Sequence, residues 1–301
     1  CMGKRLLSTP FIDSVLAARA IQLAGDNAQR EAYLPRIAAG TVVAMALQEG
    51  ADWGQETPVL HAEVQDEELV LHGTKTQVMY AEAAALFLVS ATLDGEPRLL
   101  LVPAESVDPS AITRQVCIDE TRRSARIDFT AVRVAANALL PGNGAVALRD
   151  LYLLGALLCA AEATGSAGAC LDLTVDYLKT RVQFGHPIGS YQSLKHPMVE
   201  VLCAFDAARS FIYHAATVLP EGPLDADGEI ACRMAKAQAS EALKYAGDRA
   251  VQFHGGMGFT YECDAQLYIR RAQWSQQVYG DAYHHRKRLA ALLLDLEDIS
   301  H

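Results

Sequence analysis

The residues best suited to chemistry lie in two short segments, Tyr177-Leu-Lys-Thr-Arg181-Val-Gln-Phe184-Gly185-His-Pro187-Ile188-Gly189-Ser-Tyr-Gln192-Ser-Leu-Lys-His196 and Gln252-Phe-His-Gly255-Gly256-Met-Gly258-Phe259-Thr260. A helix interior loses roughly 1 kcal/mol for each glycine that replaces an alanine, and the second segment carries three glycines between helical patterns. It therefore wants bare backbone, as a chain does where something must come very close. An arginine offers a planar fork of permanent charge that matches phosphate oxygens. Taken singly, the residues have plainer readings, Arg181 as a surface ion-pair partner and Phe184 as a core side chain. His254, His284 and His285 have no carboxylate or second histidine at a helical metal-ligand spacing, so no metal is assigned.

Helices must position these segments. Apolar residues at helical spacing (Ile12, Val15, Leu16, Ile21, Leu23) predict a helix that ends in Gly25, and 28–39 reads as a second closed by Gly40. From Thr41 the texture changes to short β-rich or alternating runs, VVAMAL, EELVLHG, LFLVSATL, RLLLVPA and RIDFTAVRV, with Asp94-Gly95 placed as a hairpin turn. Pro141-Gly142-Asn143-Gly144 is a dense turn signal that ends this patterning. Beyond it, four long helical stretches, roughly 146–184, 191–219, 225–253 and 262–295, have lengths suited to an antiparallel bundle. The predicted fold is α+β and multidomain: a helical segment over 1–40, an antiparallel, barrel-like β domain over 41–141 and a helical bundle over 142–301.

With 301 residues, about half of them apolar, the chain can bury a large core. Its 36 acidic and 26 basic residues give a net charge of −10, and no stretch concentrates the Lys and Arg of a nucleic-acid footprint. Seven cysteines without a CxxC pair argue against zinc and against a disulfide framework, which predicts a reduced, cytoplasmic setting. The longest apolar run, Leu151 to Ala161, falls short of the roughly 20 residues a bilayer span needs, so no membrane span is expected.

Together and in this order, the two segments resemble motifs of the acyl-CoA dehydrogenase family that read approximately YxxxRxQFGxPIxxxQxxxH and QxHGGxGFT. Helix–β–helix is also that family's domain order, and LPRIAAG followed by MALQEG resembles its entry into the β domain. The resemblance thus covers nearly the whole chain. Family members usually carry several more helices ahead of the point where this chain begins, so the N-terminal helical domain is expected to be partial. The resemblance implies an FAD that lies across a subunit interface. Arg181, Phe184, Gln192 and Gln252 would reach over to the pyrophosphate and adenine of a neighbour's flavin, with Gly255 and Gly256 letting the backbone approach. It also implies α,β-dehydrogenation of an acyl-CoA thioester, with electrons leaving through an electron-transfer flavoprotein.

The other half of such a site does not match. The reaction needs a carboxylate base, whose pKa a buried site can raise toward the operating pH. In much of the family this is the glutamate of a YEGT-like segment. Aligned from Arg270-Arg271-Ala272, this chain reads Val278-Tyr279-Gly280-Asp281-Ala282-Tyr283-His284, with Gly280 at the base position. A second branch keeps its base on the first long C-terminal helix, about seven turns before the motif arginine, and here that position is Gly155. Asp281 is a weak substitute, while Asp150 and Glu162 read as capping or solvated carboxylates. Gln48-Glu49-Gly50 stands where the family shows a threonine before Glu-Pro, Gln77-Val78-Met79 where Trp-Ile-Thr packs on the flavin, and Ala282 where a threonine follows the base.

The departures fall on what a subunit supplies for its own flavin, and the matches on what it lends to its neighbour. The chain therefore reads as the non-catalytic subunit of a heteromeric acyl-CoA dehydrogenase, of the kind known among actinobacterial enzymes for CoA thioesters of steroid side chains, in a heterotetramer. Two alternatives stay open, a self-sufficient homo-oligomer with Asp281 as base and a flavin-free scaffold. The resemblance runs the acyl chain near Phe11, Gly155 and Leu158, residues that read equally well as core.

Overall fold

A computed structural model describes residues 2–50, 53 and 57–294. The chain divides into two compact units, one formed by Ser8–Gly155 with Glu221–Pro223 and the other by the described residues of Cys1–Leu7, Ala156–Pro220 and Leu224–His301.

The first unit opens with α1 (Phe11–Ala24) and α2 (Asn27–Ala38). Asp26 starts α2 with a capping box, accepting from Gln29 N at 2.7 Å while the Gln29 side chain accepts from Asp26 N at 3.1 Å. Nine strands follow: β1 (Val43–Ala46), β2 (His61–Gln65), β3 (Glu68–His72), β4 (Thr74–Met79), β5 (Leu86–Leu93), β6 (Glu96–Pro103), β7 (Ile112–Gln115), β8 (Ser124–Asp128) and β9 (Val132–Ala135). A six-stranded sheet runs β1-β5-β2-β3-β9 with β6 also on β5, and a three-stranded sheet runs β4-β8-β7. Asp94-Gly95 joins β5 to β6 as the sequence predicts, both residues at positive φ as a two-residue hairpin turn requires.

The antiparallel expectation needs correcting, because β1 pairs parallel to β5, Val43 opposite Leu86, and β2 also meets β5 in parallel. Alternation reports which face a side chain takes, not strand direction, and the long connection from β1 to β5 permits the parallel pairing. Leu71, Phe87, Val89, Leu100, Ile127 and Phe129 form the core of this unit, with the Phe87 and Phe129 rings edge-on at 6.0 Å.

Helix α3 (Gly144–Thr180) passes from the first unit's residues into the second's. It is long and apolar enough, by length and composition, to cross a bilayer, although Arg149, Asp150, Glu162 and Asp172 interrupt its apolar runs; 61% of its most apolar window is buried inside the protein. A two-stranded ribbon, β10 (Val182–Gln183) and β11 (His186–Pro187), separates it from α4 (Gln192–Val218), and α5 (Ala226–His254) follows. The helix predicted over 262–295 is two helices, α6 (Ala265–Gln277) and α7 (Ala282–Leu294). Tyr279 and Gly280, at φ 60° and 93°, turn the chain out of the helical region between them.

Candidate functional site

One end of the helical unit is open. After α3, Arg181 enters the β10–β11 ribbon, whose central residues Phe184 and Gly185 have φ of 53° and 82°. Glycine takes that conformation freely, whereas a phenylalanine pays about 1–2 kcal/mol for it. The turn nevertheless holds the Phe184 ring 90% exposed, with Tyr191 Oη donating to the Gln183 carbonyl at 3.2 Å. The end of α5 is brought alongside by Tyr177, which stacks on His254 with ring centroids 4.3 Å apart. His254 is itself buried and fixed through Nδ1 to the Ala250 carbonyl at 2.7 Å. Gly255 follows at φ 61°, and a Cβ placed on Gly255 or Gly256 would meet nothing within 4 Å.

Arg181, Gln192 and Gln252 are exposed, and none of their side chains has a hydrogen-bond or ion-pair partner among the described residues. The plain readings of Arg181 as an ion-pair partner and of Phe184 as core are therefore not what the structure holds. A guanidinium fork, an exposed ring, two amides and open backbone can receive a ligand with phosphates and flat rings.

The link between α6 and α7 is closed. Gly280 is buried, and a Cβ there would lie 2.7 Å from His284 Cδ2 and 3.1 Å from His285 Nε2, on a backbone already at positive φ. Asp281 Oδ1 accepts from His284 N at 2.7 Å, which makes it the cap of α7. His285 is 2% exposed and donates through Nε2 to the Tyr279 carbonyl at 2.9 Å. Burial first, then the charges of Lys236 and Arg233, push its pKa down to about 2, so the ring is neutral. Lys236 is fully buried and donates to the Ser275 carbonyl at 2.6 Å and to Ser240 Oγ at 3.0 Å, and its burial lowers its pKa.

The remaining predicted carboxylates are structural. Glu162 forms a buried ion pair with Arg271, whose Nη2 also donates to the Leu6 carbonyl at 3.1 Å. Asp150, beside the buried Gly155 in sequence, is gripped by Arg19 through two bonds of 2.9 and 3.0 Å. Neither is a solvated carboxylate. Phe11 is 52% exposed and Leu158 half-buried.

In the β-rich unit the departing residues serve their own fold. Gln48 is buried and its Nε2 donates to the Gly50 carbonyl at 2.8 Å. Glu49 accepts from Lys75 Nζ at 2.6 Å and from the Val59 and Leu60 amides. Lys75 is fully buried, also reaches Ser90 Oγ at 2.9 Å, and is lowered to about 8 by that burial. Gln77 sits at φ 53° in a register shift of β4, its N–H donating to Gln115 Oε1 at 2.9 Å. Sequence reasoning does not single out Lys75, because a lone lysine in a strand carries no periodic signal, and although Tyr177 and His254 both stand in the motif segments, nothing in their spacing announces that the two rings stack.

Fold and surface define a class, a two-unit α+β protein whose helical unit offers an arginine, an aromatic ring and open glycine backbone on one exposed end. The acyl-CoA dehydrogenase C-terminal domain matches residues 142–294. Acyl-CoA dehydrogenase IpdE2 of Mycolicibacterium smegmatis is 31% identical over 292 residues, 96% of this chain and 75% of that protein. Among solved structures, the ChsE4-ChsE5 complex from Mycobacterium tuberculosis has the same fold, at a TM-score of 0.86 and 24% identity over 98% of this chain and 79% of that one. A glycine-to-alanine variant of the Tcur3481-Tcur3483 steroid ACAD matches at 0.84 and 27% identity over 98% of this chain and 78% of that one. The chain belongs to the acyl-CoA dehydrogenase family, whose oxidoreductase chemistry uses FAD.

Proposed function

We propose that this chain is the non-catalytic subunit of a heteromeric acyl-CoA dehydrogenase and that its open end clamps the FAD bound by a different subunit. The observation that carries this is the contrast within one unit, an unpaired, exposed clamp at one end and, at the usual base position, a glycine sealed by two histidines. Arg181 would bind the pyrophosphate through its paired N–H donors, Phe184 would pack on a ring, Gln192 and Gln252 would hydrogen-bond the adenine end, and Gly255 and Gly256 would let the dinucleotide reach the backbone. The flavin, when bound, supplies the hydride acceptor. Gly155 and Gly280 bring no proton acceptor, so the base would come from the partner. The Tcur3481-Tcur3483 steroid ACAD, a two-protein relative, supports a heteromer acting on a steroid-derived acyl-CoA; a heterotetramer in a cytoplasmic setting, with an electron-transfer flavoprotein as acceptor, belongs to the same proposal.

The self-sufficient alternative rests on Asp281, whose carboxylate is engaged as a helix cap. A flavin-free scaffold would have no use for a strained, exposed Phe184 beside an unpaired Arg181. In the purified complex, Arg181→Ala is expected to weaken FAD retention by about 10-fold or more, the loss of a charge-assisted pair, while Asp281→Asn leaves turnover unchanged. Loss of turnover in Asp281→Asn with full FAD content would favour the self-sufficient reading.

A further inference from the structure

We propose that a small pocket beside the three-stranded sheet binds a free aliphatic α-amino acid, with the carboxylate on Arg114 and Arg123 and the ammonium on Glu82. The pocket is a cavity of about 90 Å³ lined by the turn that follows β4, by Arg114 on β7, and by Arg123 and Ala125, which flank the start of β8. That volume is several times the roughly 10–15 Å³ that one water needs and well short of the roughly 300–1,000 Å³ of sites for drug-sized ligands. The occupant is therefore small, and the pocket cannot hold a whole dinucleotide or CoA. Its floor is rigid. Tyr80 sits at φ 57°, a conformation that costs a residue with a Cβ about 1–2 kcal/mol. It is fixed there by its N–H, which donates to the Arg123 carbonyl at 3.0 Å, and by its Oη, which accepts from Arg122 Nη1 at 3.0 Å. Ala81 and Ala125 are buried and make the wall beside it apolar.

The charges around this well are unspent. Glu82, Arg114 and Arg123 are all exposed, and neither Glu82 nor Arg114 has a hydrogen-bond or ion-pair partner among the described residues. Arg123 uses one N–H, donating to the Glu120 carbonyl at 3.2 Å, and makes no ion pair among those residues. Two arginines and a carboxylate thus line one small pocket without pairing with one another. The ligand that satisfies all three carries both signs. A simple anion would sit beside Glu82 and a simple cation beside two arginines, like-charge contacts that work against binding. An α-amino acid carries a carboxylate and an ammonium on one carbon, so each finds its opposite, and an aliphatic side chain suits the apolar wall. The pocket lies wholly in the β-rich unit, so this inference goes beyond the clamp and does not rest on it.

The test titrates the full chain with L-leucine, observed by ligand NMR, beside 4-methylpentanoate, which lacks the ammonium, and 3-methylbutylamine, which lacks the carboxylate. Leucine is expected to bind saturably, and each analogue about 10-fold or more weaker. Arg114→Ala and Glu82→Gln are each expected to weaken leucine by about 10-fold, the loss of one charge-assisted hydrogen bond, while Glu82→Gln leaves 4-methylpentanoate no weaker. Both side chains are exposed, so neither substitution disturbs the fold. Absence of saturable leucine binding, or leucine binding that both variants leave within about 2-fold, which is under 0.5 kcal/mol, overturns the proposal. Binding of 4-methylpentanoate as tight as that of leucine also overturns it, since the pocket would then take anions alone. FAD content enters none of these readings, so failure of this proposal and failure of the clamp are separate results.

Discussion

The loop pair after α3 and α5 and the link between α6 and α7 belong to one helical unit, yet they treat their polar groups in opposite ways. At the first, Arg181, Gln192 and Gln252 have no side-chain partners among the described residues and an aromatic ring is held in water on a left-handed backbone. At the second, Gly280 is covered by His284 and His285, and Lys236 is spent on Ser240 and Ser275. Folding alone favours the second arrangement, since buried polar groups must be paired. The first costs stability and makes sense only if another molecule completes it. A site that waits and a site that has filled itself can thus be told apart by asking which groups lack partners.

That contrast can be broken or sharpened by substitution. The largest effect is expected at the pair that fixes α6 to α3. Arg271→Ala leaves Glu162 buried and uncompensated and should cost about 3–5 kcal/mol, read by chemical denaturation; a loss under 1 kcal/mol would mean that this end is less tightly closed than its geometry indicates. Restoring a glutamate at Gly280 comes next. Gly280→Glu must adopt positive φ and displace His284, so a loss of about 2–4 kcal/mol without any gain in turnover is expected. Acyl-CoA oxidation by that variant alone would show that the end can reopen.

His285 gives the closed end a pH signature. Its folded pKa of about 2 lies below the ordinary histidine value of 6.5, so the unfolded chain binds more protons between those limits. The stabilising contribution is complete above pH 6.5 and is lost as the pH falls, by about 2 kcal/mol at pH 5. His285→Gln should flatten the dependence between pH 5 and 7, and an unchanged slope would remove His285 as its source. The smallest effect is expected at the open end, where Phe184→Gly relieves the left-handed strain. It should stabilise the chain alone by about 1 kcal/mol while weakening the assembled complex.

Much of this was legible in the sequence. The β-rich runs, the Asp94-Gly95 turn and the long helices follow from local periodicity, and the two motif segments do lie at one end of the helical unit. The parallel pairing of β1 with β5 was not legible, since side-chain alternation is blind to strand direction. The break between α6 and α7 hid in Val278-Tyr279-Gly280, where a single glycine in a helical pattern does not announce a left-handed residue beside it. Asp150 and Glu162 passed for solvated or capping carboxylates because their partners, Arg19 and Arg271, lie more than 100 residues away in the chain.

The most direct test of the clamp is the FAD-to-chain ratio of the chain purified alone and of the complex it forms with an acyl-CoA dehydrogenase-like partner. One FAD per unlike pair, with none on the chain alone, is the predicted result. One FAD on every copy of the chain alone would contradict the account, because Gln48, Gln77 and Met79 would then form a working cradle of their own.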